Sequence, residues 1–257
     1  MSKTRALTTT QYGLPADVKG LAQFASRGGD DDVGDRLRAN GKDGRIYIGS
    51  QGSTMESGAR LAIFVNHLME GFVHWDSGTL VDQKWLRVTA VADLDADLKA
   101  LRSSMGHTNP DEWKEALPNG LPKDPIQAAV KFPVTDMATG RLYTYSVNSW
   151  NGVKAARQLA RGCLVQAAAA PETTHGCLPI AILTVAKKTT PNGLIYWGAW
   201  EVDDWAPAGE VLHALGKSGQ ASQLGVSNED AVNADLAEEP GVTTEDAKPA
   251  KKPKVRL

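Results

Sequence analysis

Two apolar runs, LPIAILTVAKK (178–188) and GLIYWGAWEV (193–202), flank Thr190-Pro191-Asn192-Gly193. Asn-Gly between apolar runs is a strong hairpin signal, because the favoured two-residue turn needs positive φ at both central positions. The spacing therefore predicts that the body closes with two antiparallel strands. Just upstream, AAVKFPV (128–134), the turn-like Asp136-Met137-Ala138-Thr139-Gly140 and RLYTYSVNS (141–149) predict a second hairpin. Between the two hairpins, about 150–170 reads as one amphipathic helix ended by Pro171.

Earlier runs fit further strands. RIYIGSQ (45–51) and VDQKWLRVTAV (81–91) alternate apolar and polar residues, and ARLAIFVNHL (59–68) fits a buried strand or a short helix. The polar, proline-broken stretch 93–127 predicts a surface insertion with a helical start. Strands, one helix and a terminal hairpin give a β-rich α+β chain, and this order fits an OB-like Greek-key barrel.

Residues 1–44 carry Gly28-Gly29 and Asp30-Asp31-Asp32 with little periodicity and read as a flexible leader, leaving 45–205 as the domain. Residues 206–257 contain no aromatic side chain and read as a disordered tail. Within the tail the acids Glu229, Asp230, Asp235, Glu238, Glu239, Glu245 and Asp246 precede a basic end from Lys248 to Arg256, so it can contact partner proteins or compete for a basic groove. With 257 residues, 42% of them hydrophobic, the chain can bury a substantial core. A net charge of −2 means that any nucleic-acid contact must rest on a local patch. No secretory signal or membrane-length apolar run is evident, which predicts a cytoplasmic protein without a membrane partner. The two cysteines, Cys163 and Cys177, read as small core residues rather than a disulfide framework.

The helix start, Asn148-Ser149-Trp150-Asn151-Gly152, carries the main candidate site. Lys154, Arg157 and Arg161 recur at i, i+3 and i+7 and share one helix face. Asn148 or Ser149 can cap the start, where free N–H groups attract anions, and Gly152 leaves room for a ligand backbone. On the preceding strand Tyr143 and Tyr145 point to one side and Leu142, Thr144 and Ser146 to the other, so one set faces the core. Tyrosines facing out would stack bases beside the cations, and Trp75, Trp85, Trp150, Trp197 and Trp200 offer further rings, Trp150 beside the stripe.

Enzyme signatures are lacking. Neither His67, His74 and Asp76 nor Cys163, His175 and Cys177 has the spacing of a closed zinc site, and Asp136, Glu201, Asp203 and Asp204 show no metal-loop pattern. GSQGSTMESG (49–58) lacks the lysine of a phosphate loop. No catalytic residue, metal or cofactor is assigned.

ARLAIFVNHLMEGFVHWDSGTLVDQ, the region from KDPIQAAVKFPV through QLARG and the closing GLIYWGAWEV resemble an uncharacterised family of phage and prophage proteins. In that family a Ser-Lys-Gly-Gly-like turn occupies the place of Asn148 to Gly152. In layout alone the chain also resembles phage single-stranded-DNA-binding proteins with an OB body and an acidic tail, departing from them in its basic last residues. The resemblance implies a part in phage DNA replication or recombination.

The expectation is thus a non-enzymatic protein that binds single-stranded DNA, or RNA, through Lys154, Arg157, Arg161, Tyr143, Tyr145, Trp150, Asn151 and Gly152. Homo-oligomers and contacts to replication or host proteins through the tail are its expected partners. The alternatives are a protein-interaction module, such as an inhibitor of a host enzyme or an assembly component, and a metal-dependent nuclease.

Overall fold

A computed structural model describes residues 34–49, 52–90, 92–117, 120–191 and 193–220. Ten strands form one mixed sheet: β1 (Asp35–Ala39), β2 (Ile46–Ile48), β3 (Ser53–Met55), β4 (Ala59–Ile63), β5 (Met69–Asp76), β6 (Thr79–Arg87), β7 (Ile126–Asp136), β8 (Leu142–Val147), β9 (Cys177–Thr190) and β10 (Gly193–Pro207). Helices α1 (Leu94–Ser104), α2 (Trp150–Ala169), the single turn α3 (Pro171–Thr174) and α4 (Ala208–Lys217) complete the described elements apart from 3-10 turns.

The eleven-residue β7 organises the sheet. One edge pairs with β8, while the other takes β5 over 126–131 and β4 over 134–136. β4 and β5 thus run end to end along β7, with the 3-10 turn Val65–His67 between them. The main path runs β10-β9-β4-β7-β8-β1-β2-β3, with the β5–β6 hairpin branching from β7. β1 lies parallel to β8, Leu37 beside Tyr145, whereas the other strand pairs are antiparallel. Tyr196 N–H donates to Gly41 carbonyl at 3.1 Å, bringing β10 back to the β1–β2 turn. Gly34, at φ +67, is needed where the chain enters β1, because a Cβ there would overlap the Leu142 carbonyl.

The main core lies on one side of the sheet. Leu37, Phe132, Val134, Tyr145 and Leu183 pack with Val153 and Leu159 of α2. On the other side α4 covers the β4–β9 region, joining Val211, Leu212 and Leu215 to Phe64, Leu142 and Ile180. Ser149 caps α2, its Oγ accepting from Gly152 N–H at 3.3 Å. Cys163 is buried, and burial pushes its thiol pKa up to about 12. Cys177 is half-buried, and its Sγ donates to the His175 carbonyl at 3.6 Å.

Both hairpins and the main helix form where the sequence places them. Two boundaries differ. Residues 35–39 of the expected leader form β1, since Leu37 enters the core. Residues 208–217 of the expected tail form α4, whose apolar positions at 211, 212 and 215 seal the outer layer. The remaining parts of those expectations, 1–33 and 221–257, lie outside the described residues. Among the described residues no helix is long and apolar enough to cross a membrane.

Candidate nucleic-acid interface

Tyr143 and Tyr145 are 3% and 0% exposed and belong to the core, which corrects the expectation that they stack bases. Tyr145 stands edge-on to Trp200 at 4.9 Å and tilted to Phe132 at 5.2 Å, and burial raises its phenol to about 12. Trp200 is thereby a core ring as well. Burial is the main cause of a raised Tyr143 pKa too.

The helix stripe is also altered by its surroundings. Arg157 donates through Nη2 to Glu70 Oε1 on β5, and Glu70 is 5% exposed. Most of that cation's charge is committed to a buried carboxylate. Lys154 and Arg161 are exposed and have no ion-pair partner among the described residues. Trp150 is 79% exposed at the helix start, with Asn151 half-buried beside it. Gly152 does not open a ligand path: a Cβ there would overlap Val147 Cγ2 and Ser149 Oγ, so the glycine serves helix-to-strand packing.

A second constellation arises on the opposite side of the sheet, away from α2. Side chains alternate along each strand, so the register fixes which ones share a face. Tyr145, Phe132 and Glu70 face α2; their neighbours therefore face away from it. Across that other face the pairings run Tyr47 to Arg38, Arg36 to Thr144, Ser146 to Lys131, Lys131 to Met69 and Met69 to Arg87. Trp85 stands opposite Gly71 in the same layer.

Contacts agree with this register. Arg36 Nη2 donates to Ser146 Oγ at 3.0 Å. Lys131 Nζ lies 4.7 Å from the centre of the Trp85 ring, and Asn148 Nδ2 donates to Gln127 Oε1 at 3.1 Å at the end of the layer. The result is a face carrying Arg36, Arg38, Lys131 and Arg87 with Tyr47 and Trp85 at its sides. The strand positions between Tyr47 and Trp85 include no carboxylate. At its rim Asp43 accepts from Tyr47 Oη at 2.7 Å.

Desolvation shapes this face. Lys131 is 5% exposed, and partial burial lowers the Arg87 pKa. Burial, and secondarily the charge of Arg87, lowers the nearby His67 to about 3, so His67 is neutral at ordinary pH. Arg36, held by Ser146, and Arg38 are the exposed cations of this layer.

The remaining candidates do not converge. Among the described residues no group of His, Cys, Asp and Glu is arranged to hold a metal ion. His74 instead packs its ring 4.5 Å from His107, and Asp203 pairs with Arg60 at 2.8 Å. No protein-family model, curated protein or solved structure matches the chain.

Proposed function

We propose that the protein binds single-stranded nucleic acid, and that the sheet face of Arg36, Arg38 and Arg87, with Lys131 buried in the same layer, is the principal contact surface. The carrying observation is a layer with four cations, two flanking rings and no carboxylate among its strand positions, in a chain whose net charge is −2. Arginines reach phosphates, while Trp85 and Tyr47 offer π-faces for bases.

The strand order supports an OB-type reading of the fold. Taking β4, β7, β8, β9 and β10 as the five strands, β4 lies between β7 and β9, β8 follows β7, and β9 pairs with β10. The helix joins the third strand to the fourth, β1 pairs with the third, and the turn after β1 accepts from Tyr196 of the fifth. In OB proteins the second and third strands carry the oligonucleotide-binding face. Here those strands are β7 and β8, whose Lys131, Thr144 and Ser146 are buried within the layer and support the more accessible Arg36, Arg38 and Arg87.

Lys154, Arg161 and Trp150 form a secondary surface on the α2 side, which a strand would reach only by passing around the sheet. A role in replication or recombination follows from this binding activity and from the phage-family resemblance. Fluorescence anisotropy with a labelled oligo-dT tests the reading. The R36A/R38A/R87A variant should lose most of its affinity and lower the log–log salt slope by about 2, at about 0.7 per phosphate contact. Unchanged affinity and slope would refute the sheet face as the contact surface.

A further inference from the structure

β6 is a nine-residue strand paired on one side only, with β5. Its other edge has no backbone partner among the described residues. Gln83 N–H donates to the Asp82 side chain at 2.7 Å rather than to β5, which identifies Gln83 as a residue whose peptide faces that open edge. A long open edge is a template for another strand. Leu80 and Val81 are 40% and 58% exposed beside it.

We propose that β6 pairs antiparallel with β6 of a second copy of this chain, about a two-fold axis at Gln83. An isologous contact must be self-complementary, with each residue meeting its counterpart's partner. This register meets that requirement. Asp82 lies opposite the second copy's Lys84, Val81 opposite Trp85 and Leu80 opposite Leu86, twice over. Centring on Lys84 would instead oppose two ammonium groups, and centring on Trp85 would leave Asp82 against Val88.

The register shift that leaves Val81 unmatched lies at the start of the strand, so Asp82–Arg87 remains regular. On pairing, Gln83 N–H passes from its neighbour's carboxylate to a carbonyl of the other copy, freeing Asp82 for Lys84. Lys84 is half-buried and donates to the Ser104 carbonyl at 3.1 Å and Oγ at 3.0 Å, bonds that it exchanges for Asp82 of the second copy on pairing. The pairing stands without the nucleic-acid reading. Where that reading holds, the two carboxylate-free faces join edge to edge at Trp85 and Arg87.

Multi-angle light scattering of the full chain at tens of micromolar, without nucleic acid, tests the pairing. The wild type should have the mass of two chains, D82K and K84D each the mass of one, and the D82K/K84D double variant the mass of two again. Circular dichroism confirms folding, and the double variant guards against a mere folding defect. A wild type of single-chain mass, single variants that stay paired, or a double variant that does not recover would each overturn it. Oligonucleotide affinity, measured separately, can fail without altering this result.

Discussion

Glu70 is almost wholly buried, and its Oε1 accepts from Arg157, whose own side chain is about half exposed. Removing the arginine leaves a desolvated carboxylate alone, at a cost of about 1–3 kcal/mol. R157A should therefore lower the melting temperature by about 2–4 °C per kcal/mol, and R157A/E70Q should recover most of the loss. Arg157 thus acts chiefly on stability, so R157A should change oligonucleotide affinity less than R36A/R38A/R87A does. His67 sets a pH dependence. Its folded pKa of about 3 lies below the ordinary 6.5 because burial disfavours the charged ring. Between those values the unfolded chain binds more protons, so this contribution is complete above pH 6.5 and is lost as pH falls towards 3. The slope is at most about 1.4 kcal/mol per pH unit. Urea midpoints at pH 7 and pH 4.5 check this, and H67Q should flatten the difference.

At the scale of elements, α2 depends on a glycine for contact rather than for freedom. G152A gains about 1 kcal/mol of helix propensity but forces a methyl into Val147 and Ser149, costing about 1–3 kcal/mol. Thermal melts should show net destabilisation. The same helix illustrates what local sequence reveals: its cap, length and apolar face were legible because they repeat within one turn. The pairs β7–β8 and β9–β10 were legible from alternation and turn chemistry. β1 was not, because DRLRA offers one core residue, Leu37, and its parallel partner β8 lies more than a hundred residues away. α4 carried a readable signal in the spacing of Val211, Leu212 and Leu215, masked by the aromatic-free composition around it. Tyr143 and Tyr145 were ambiguous for a physical reason. β8 is buried on both faces, so alternation along it contrasts two interiors rather than core with water.

For the whole molecule, the sheet separates two cationic surfaces. Lys154 and Arg161 belong to the α2 side, whereas Arg36, Arg38, Lys131 and Arg87 belong to the other. Only the first was legible, since a helix gathers its charges within eight residues. The second draws on β1, β6 and β7, and no local pattern announces that three distant segments share a layer. A titration of labelled oligo-dT against wild type, R36A/R38A/R87A and K154A/R161A at several salt concentrations compares the two surfaces directly. The sheet variant should lose most of its affinity and about 2 from the salt slope, while the helix variant changes both much less. Loss confined to K154A/R161A, with the sheet variant binding as wild type, would refute the sheet face as the contact surface.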